Sequence, residues 1–600
     1  MCLRSIRLAG IGSLVMVAGV LPASGTAARA HGSTQRAAPV RCAKRNAAHG
    51  VLRYSDVGLP TNLNPLGAAP TIAGSMLDDL FRYGPTGKVY AMMAREMPTL
   101  KNGGIRDGGK TIVIHIKPGL RWSNDTEITS ADVKFGWQID MDPVTGPLCS
   151  GTCDSVRSIS TPDRYTDMLH MRRVFGGILT PPAQLANGWQ VWPVRWPHAW
   201  NGDPHAAALK LSQDPAYNFL SPSYPTSGPY QVARVVSDHE VDLRPMKYYD
   251  DMTCGGYVKT IRDIGFANDP SGWPAMQAAA SSGHLDVAVG YLASQIGSLK
   301  RLHGVYLVHA PPSFSFEHLE FNLDRTYNGA PNPLASTNVR LALALALDRP
   351  TVTQDALGVP VKEARELVAW TPWVNSPLLR QPFADPRLTG QWDPIAHKYV
   401  SDTGRGQALA DARTLLARTP WKHGFTLDFV RGPAPYRAVI VRDLATLWGR
   451  LGVKLRDHQI TPGDLFGTWA EGGVLVHGAF QVSTFSWTGG TDPDPFKTLL
   501  ESRFVARDHP SSATDADGNF AGIRDSVIDR EFERGEGSFN HSVRTSAFYR
   551  VQERLNQKAY WVPLFYRPDV STTTRRVEGY RTNPGGGGEE AMDAYRWKVK

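Results

Sequence analysis

Two carboxylates stand two residues apart in the stretch "SWTGGTDPDPF", where only Pro493 separates Asp492 from Asp494. Proline restricts the backbone, so both acids are held on one loop. Paired carboxylates suit general acid–base chemistry or the capture of a cation. The same residues also suit a solvated turn in which aspartates cap a helix that begins before Phe496. Residue types and spacing leave both interpretations open.

The residues before this pair favour ligand binding. A predicted strand over residues 479–485 leads directly into Trp487, Gly489 and Gly490, and then to Asp492. Glycines let a ligand approach the backbone, an indole provides a flat apolar wall, and a carboxylate supplies one fixed charge. The pattern predicts a ligand site at the end of a strand.

Other chemical motifs are missing from the sequence. There is no G-x-S-x-G elbow outside the apolar N-terminal stretch, no H-E-x-x-H, and "GPTGK" at 84–88 lacks the full P-loop pattern. We therefore predict no enzyme, no catalytic residues, no metal and no cofactor. The alternative is a hydrolase that uses Asp492 and Asp494. The net charge of +9 is spread along 600 residues without a basic cluster, which argues against a nucleic-acid partner.

The N-terminus has the pattern of an export signal. Arg4 and Arg7 precede the apolar run "LAGIGSLVMVAGVL", and "ARA" ends at Ala30 with small residues typical of a cleavage site. We predict a signal peptide over 1–30, cleaved near Ala30, and a polar leader over 31–44. The alternative is an anchor helix that is not cleaved. Both place the remaining chain outside the cytoplasm, in the periplasm, in the cell envelope or as a secreted protein.

Four cysteines remain after the predicted cleavage, an even number that suits an oxidising compartment. Cys149 and Cys153 enclose only "SGT", a loop short enough for a disulfide. Elimination then pairs Cys42 with Cys254. Zinc is the alternative, although no histidine pair stands near these cysteines.

The stretch "TNVRLALALALDRPTVTQDALG" predicts a buried helix over 337–358. Its apolar run is too short for a bilayer, which needs about 20 apolar residues. Apolar residues at helical spacing, including Leu343, form one face, and Pro350 predicts a break or restart. Two later segments each run from a helix into a strand. Together with a length that exceeds one core, they indicate an α/β protein of two or three lobes.

These motifs, taken in order, resemble those of the family 5 extracellular solute-binding proteins, the dipeptide- and oligopeptide-binding components of ABC importers. The resemblance covers nearly the whole chain after the signal. It rests on "TNLNPL", "GGKTIVIHIKPGLRWSNDTEITSADVKFGWQ", "SGPYQV", "SSGHLDVAVG", "LEFNLD", "NVRLALALALDR", "LWGRLGVKL", "SWTGGTDPDPF" and "WVPLFY". Each motif is weak alone, but nine in the same order make chance an unsatisfactory explanation.

The resemblance implies an α/β fold: a two-lobed clamp of the type II periplasmic-binding-protein class. Lobe one would comprise residues 45–320 and 569–600, with an extra subdomain inserted over about 76–223. Lobe two would comprise residues 321–568. A ligand would lie between the lobes and be enclosed when they close.

The resemblance also implies the function and the site. The chain would capture a peptide or peptide-like solute and deliver it to an ABC permease in the membrane, acting as a monomer. An oligosaccharide or a metal chelate is the alternative cargo. Gly490 stands where the dipeptide binders carry an aspartate that pairs with the amino terminus of the peptide, and Asp492 is the candidate replacement. The implied ligand-binding residues are Thr61, Asn62, Leu63, Phe485, Trp487, Gly489, Gly490 and Asp492.

Overall fold

The structure is a computed structural model and describes residues 49–57, 71–84, 87–145, 153–180, 193–194, 200–213, 224–249, 258–267, 272–373, 386–513, 517–583, 591 and 593–600. The strands, in chain order, are β1 His49–Val57, β2 Phe81–Tyr83, β3 Val89–Ala91, β4 Ile105–Arg106, β5 Thr111–His115, β6 Val156–Asp163, β7 Thr166–Met171, β8 Tyr230–Ser237, β9 Glu240–Pro245, β10 Val258–Phe266, β11 Val287–Tyr291, β12 Leu307–His309, β13 Pro312–Phe321, β14 Thr326–Tyr327, β15 Ala330–Pro331, β16 Gln391–Asp393, β17 Lys398–Val400, β18 Phe425–Arg431, β19 Val453–Gln459, β20 Val482–Thr488, β21 Trp561–Pro568, β22 Val570–Thr573, β23 Val577–Glu578 and β24 Lys598–Val599.

The helices alternate with these strands over much of the chain. They are α1 Ser130–Asp140, α2 Pro204–Gln213, α3 Gly272–Ser281, α4 Ile296–Leu299, α5 Thr337–Leu345, α6 Arg349–Leu357, α7 Val361–Leu367, α8 Pro386–Thr389, α9 Gly406–Ala417, α10 Pro435–Gly449, α11 Pro462–Phe466, α12 Lys497–Leu500, α13 Ser526–Glu536 and α14 His541–Lys558. In the part of the chain that the structure describes, no helix is long and apolar enough to cross a membrane.

Three sheets organise the described residues. The first has the order β12-β22-β11-β1-β10-β9-β8, and the second has the order β19-β18-β20-β13-β21. A four-stranded sheet, β4-β5-β7-β6, comes from the segment between β1 and β8 and forms an insertion into the first. All three sheets lie within one compact unit, Val40–Lys600.

The chain passes between the two larger sheets twice. It leaves the first after β12 and enters the second at β13, then returns between β21 and β22, where only Asp569 separates the two strands. Both crossings lie side by side, because Pro312 of β13 is paired with Pro568 of β21. The predicted change of lobe at 320/321 falls at the end of β13, a strand of the second sheet. The predicted change at 568/569 falls at the second crossing.

The apolar helix predicted from the sequence is two helices, α5 and α6, with the break just before Pro350. The prediction of one apolar face was too narrow, because every residue from Val339 to Leu347 is buried. Burial on all sides includes the Arg340 side chain, which donates from Nη1 to the carbonyl oxygen of Leu334 at 2.7 Å. A helix that is apolar all round belongs in the middle of a core. Its neighbours include Trp448, whose Nε1 donates to the carbonyl oxygen of Leu343 at 3.0 Å.

The start of α1 also follows the prediction. The backbone N–H of Thr129 donates to the Asp132 carboxylate at 2.8 Å, so the acid in the first turn satisfies a group that the helix leaves open. This helix packs beside the four-stranded sheet of the insertion through β6 and β7.

Replacement of Leu343 by alanine tests the importance of the α5 core. Leu343 is fully buried, so we expect Leu343→Ala to lower the free energy of unfolding by about 2–5 kcal/mol in urea titrations followed by circular dichroism. Leu100 is 58% exposed, and Leu100→Ala is the control, with an expected change within about 0.5 kcal/mol. Equal losses in both variants would contradict the placement of α5.

Candidate functional site

The candidate site lies at one edge of the second sheet. Strands β18 and β19 run parallel, and so do β18 and β20, so their carboxyl ends meet at the same edge. In open sheets with parallel strands, ligands bind beyond the carboxyl ends. The strand was predicted to end at Phe485 but continues to Thr488, so Trp487 lies in the strand and not in the loop that follows. Trp487 is paired with Phe316 of β13.

An aromatic cluster surrounds Trp487. The Phe485 ring is fully buried, with ring centroids 5.3 Å from Phe466, 5.5 Å from Trp487 and 6.3 Å from Phe520. Trp487 and Phe520 are stacked at 5.9 Å. Phe466 is 43% exposed, while Trp487 and Phe520 are half-buried, so part of the cluster faces outward. Phe485 therefore supports the indole from behind, and the indole is held in one orientation.

The indole nitrogen of Trp487 is a donor without a partner. Its Nε1 is buried and has no hydrogen-bond acceptor among the residues that the structure describes. An unmet buried donor is costly, on the order of 1–3 kcal/mol. An acceptor on a bound molecule or an ordered water next to the indole would remove that cost.

The glycines after the strand let the loop pack against its own lobe. The backbone N–H of Gly489 donates to the carbonyl oxygen of Phe314 at 3.0 Å. A Cβ at Gly489 would lie 2.9 Å from the Phe496 ring and 3.2 Å from the carbonyl oxygen of Pro372. Gly490 follows and is buried as well. The contact that requires the missing side chain at Gly489 is therefore with protein atoms.

Asp492 and Asp494 share a single buried arginine. Arg544 of α14 donates from Nη2 to both carboxylate oxygens of Asp492, at 2.7 and 2.6 Å. Its Nη1 donates to Oδ2 of Asp494 at 2.9 Å. The backbone N–H of Asp494 also donates to Asp492, at 3.0 Å. The side chains of all three residues are at most 10% exposed. We call these three residues the acid–arginine triad.

The single positive charge of Arg544 cannot neutralise both Asp492 and Asp494. The pKa shifts of Asp494 and Arg544 follow from this. Burial first, and then the charge of Asp492, raise the pKa of Asp494 to about 7. Burial opposes the charge on Arg544, but the two carboxylates outweigh it and raise the pKa of the guanidinium. At neutral pH the triad is a buried ion pair with a second carboxyl that is partly protonated.

A turn from the inserted subdomain lies directly on the triad. The backbone N–H of Gly176 donates to the carbonyl oxygen of Glu536 at 2.7 Å, and Thr180 Oγ1 donates to Asp492 at 3.4 Å. A Cβ at Gly176 would collide with the Arg544 guanidinium, and one at Gly177 would lie 2.7 Å from Asp494 Oδ2. Only glycine allows the turn to come this close. The triad thus joins α14, the loop after Trp487 and the inserted subdomain.

A second buried ionic cluster lies across the sheet from Trp487. Glu317 of β13 is fully buried and accepts hydrogen bonds from Arg437 Nε at 2.8 Å, Tyr436 Oη at 2.9 Å and Thr484 Oγ1 at 2.9 Å. Burial alone would raise the pKa of Glu317, but the Arg437 charge and hydrogen bonds, with a further bond from Ser486, hold that pKa below its usual range. Sequence reasoning missed this cluster, because about 120 residues separate its acid from its arginine.

Several predicted residues lie outside the described part of the chain. They are Thr61, Asn62 and Leu63, together with Cys42, Cys149 and Cys254. Cys153 begins a short 3-10 helix, Cys153–Ser155, but its side chain is also outside the description. Both disulfides therefore stay predictions. Across the described residues, no group of three or more histidines, cysteines or acids is arranged to hold a metal ion.

Comparison with known proteins identifies relatives at low sequence identity. The oligopeptide-binding protein OppA of Lactococcus lactis subsp. lactis is 22% identical over 524 residues, which cover 78% of this chain and 76% of that protein. The probable deoxycholate-binding periplasmic protein YgiS of Escherichia coli (strain K12) is 23% identical over 547 residues, covering 88% of this chain and 90% of that protein.

The fold is similar to that of the oligopeptide-binding protein AppA from Bacillus subtilis, solved in complex with a nonapeptide. The TM-score is 0.62 at 14% identity, and the match covers 92% of this chain and 99% of that one. The fold is thus the two-lobed α/β clamp of type II, as predicted. The model of the bacterial extracellular solute-binding proteins, family 5 (middle), matches residues 92–503. The chain belongs to the family 5 extracellular solute-binding proteins of bacteria.

Proposed function

We propose that this protein is the extracytoplasmic receptor of an ABC importer and captures a peptide or peptide-like solute between its two lobes. The observation that carries the proposal is the family match over residues 92–503, combined with relatives that are named for oligopeptide binding. After export the receptor would deliver its solute, as a monomer, to a permease in the membrane. No bond in the solute is made or broken.

In this proposal the lobes comprise residues 45–320 with 569–600, and residues 321–568, except that β13 (residues 312–321) pairs within the second sheet and so belongs to lobe two. The subdomain inserted over 76–223 belongs to the first lobe. Trp487 supplies a wall of the site from lobe two, and Thr61, Asn62 and Leu63 are the proposed ligand-binding residues of lobe one. Closure is driven by contacts that the ligand makes only in the closed state.

The loop after Trp487 favours a solute without a free ammonium group at this position. Gly490 has no side chain, and both carboxylate oxygens of Asp492 accept hydrogen bonds from Arg544. An ammonium bound there would compete with a buried guanidinium for the same acid. We therefore propose a peptide-like solute whose amino end is blocked or lies elsewhere. The relative named for deoxycholate adds apolar, acceptor-rich solutes to the alternatives of an oligosaccharide or a metal chelate.

The pairing of Asp492 and Asp494 with Arg544 also favours binding over catalysis. A general acid or base must reach the proton that it transfers. Here the two carboxyl groups are buried against one arginine and lie under the Gly176–Gly177 turn. We propose that these acids fix the loop after Trp487 and take no part in turnover.

The first prediction concerns Trp487. A panel of peptides with free and blocked amino termini, oligosaccharides, bile acids and metal chelates is screened by isothermal titration calorimetry and tryptophan fluorescence. For the solute that binds, we expect Trp487→Ala to raise Kd about 10- to 100-fold, because an aromatic anchor in a pocket carries much of the affinity. Trp421 precedes β18 at the opposite edge of the same sheet, so Trp421→Ala is the control and leaves Kd unchanged.

Two outcomes would overturn parts of the proposal. Tight binding of free-amine peptides, lost when the amine is acetylated, would contradict the proposed role of Gly490 and Asp492. Equal affinity of the Trp487→Ala and Trp421→Ala variants would remove Trp487 from the site.

A further prediction tests the structural role of Asp494 through pH. Since the pKa rises from 3.8 to about 7 on folding, the folded state keeps a proton that the unfolded chain releases near pH 4. The stability that this proton confers is complete below pH 4 and is lost as the pH rises through 7. From pH 4 to 8 we expect the free energy of unfolding of the wild type to fall relative to Asp494→Asn, on the order of 1–3 kcal/mol.

Urea titrations across that pH range provide the measurement. The control is Asp238→Asn, because the Asp238 side chain is 72% exposed and its variant should follow the wild type at every pH. A difference between wild type and Asp494→Asn that is flat with pH, or that grows in the opposite direction, would contradict a shared arginine.

A further inference from the structure

Arg349 is a buried cation that has no counter-charge among the described residues. It is the first residue of α6 and is 1% exposed. Its Nε donates to the carbonyl oxygen of Pro563 at 2.8 Å, its Nη2 donates to Gln391 Oε1 at 3.1 Å, and its guanidinium lies 4.3 Å from the centre of the Trp370 ring. Its Nη1 has no acceptor, and no acid pairs with it, among the residues that the structure describes.

A guanidinium keeps its proton in proteins, so this charge has to be compensated in another way. Burial lowers the pKa of Arg349 to about 9, and no neighbouring charge opposes that effect. Neutral carbonyl groups and a ring face replace only part of the lost hydration. A buried charge is normally paired, and an isolated one costs several kcal/mol.

A small cavity adjoins Arg349, and a second buried hydrogen-bond donor also lines it. Its volume is about 10 Å³, and its lining includes Arg349, Trp370, Gln391, Gln552 and Trp561. Trp561 is 3% exposed, and its Nε1 has no acceptor among the described residues either. The three amide side chains of the lining accept hydrogen bonds from other donors: Gln391 from Arg349 Nη2, Gln552 from Thr371, and Asn556 from Gln391 and the backbone N–H of Trp392.

We propose that this cavity binds a monoatomic anion, chloride under natural conditions, between Arg349 Nη1 and Trp561 Nε1. The cavity has room for about one water-sized particle, which favours a monoatomic anion over phosphate, sulfate and carboxylates. A water would satisfy the two donors but leave the cation uncompensated, whereas a halide does both. The anion stabilises lobe two by joining α6 to β21. The inference stands apart from the proposed function, because it concerns the core of lobe two and not its cleft.

The chain contains a matched control in Arg340 of α5. Arg340 is 3% exposed, so it is buried to a similar degree. Every nitrogen of its guanidinium has an acceptor: Nε donates to Lys558 O at 3.0 Å, Nη1 to Leu334 O at 2.7 Å and Nη2 to Thr337 Oγ1 at 3.1 Å. Burial lowers its pKa to about 10 without producing an unmet donor. Arg340 is therefore the control: it is a buried arginine beside which we expect no anion.

The first experiment locates the anion. Crystals of the full chain grown in chloride are transferred to bromide, and anomalous diffraction is measured at the bromine edge. We expect an anomalous peak within hydrogen-bonding distance of both Arg349 Nη1 and Trp561 Nε1, and none beside Arg340. Density with no anomalous signal at the cavity, as given by a water, would overturn the proposal.

The second experiment measures the stabilisation in solution. Thermal unfolding is followed in sodium chloride and in sodium gluconate at equal ionic strength, since gluconate is too large for the cavity. A ligand of the folded state raises Tm, and we expect chloride to raise that of the wild type by about 3 °C. In Trp561→Phe, which removes one donor and keeps an aromatic ring, at least half of this difference should disappear.

Arg340→Met completes the design. It should lower Tm in both salts and keep the full chloride-dependent difference. Arg349→Met should abolish the chloride-dependent difference, and Trp561→Phe keeps the test decisive if Arg349→Met does not fold. Equal Tm values of the wild type in the two salts, or the same difference in Trp561→Phe as in the wild type, would overturn the anion site.

Discussion

The shared hydrogen bonds of Arg544 are the interaction on which the candidate site depends. They tie the loop after β20 to α14 and so determine where that loop leaves the strand that carries Trp487. They also take up both oxygens of Asp492, which changes what the loop offers to a solute. A buried ion pair adds little net stability against an apolar replacement, but removing one partner leaves an uncompensated charge. The arrangement is therefore better understood as a determinant of loop geometry than as a source of stability.

Four arginines of lobe two, three of them buried and Arg437 13% exposed at its side chain, show different ways of compensating a charge that is removed from water. Arg544 has two acids, and Arg437 has one, Glu317. Arg340 relies on carbonyl and hydroxyl oxygens, and Arg349 has no acceptor for its Nη1 among the described residues. The pKa shifts agree with these partners. Carboxylates raise the pKa of Arg544 and of Arg437, whereas burial lowers the pKa of Arg340 and of Arg349. The surroundings of each arginine thus decide its role. Arg544 fixes a loop, Arg437 joins a helix to a strand, and Arg349 has an unmet donor at which we propose an anion.

The sequence predicted the features that depend on neighbours along the chain. The apolar helix around Leu343, the break before Pro350 and the family itself could be derived from local patterns. The partners of Asp492 could not, because Arg544 lies 52 residues later in a helix whose sequence gives no sign of it. The strand boundary was displaced for a related reason. The sequence predicted a strand over residues 479–485, whereas pairing with β13 places the strand over residues 482–488 and so includes Trp487.

In the proposed clamp, the contact of the inserted subdomain with the triad would connect binding to closure. The Gly176–Gly177 turn fits against Arg544 and Asp494 only because it has no side chains. The loop that carries Asp494 begins after Thr488, one residue beyond Trp487, so a displacement of Trp487 would also displace the surface on which the turn rests. A ligand that fixes the Trp487 indole would also fix the loop position against which the Gly176–Gly177 turn packs. Packing of that turn would, conversely, favour the indole position that binds the ligand. The two contacts are then coupled in free energy, and neither has to transmit a movement through the core of the lobe.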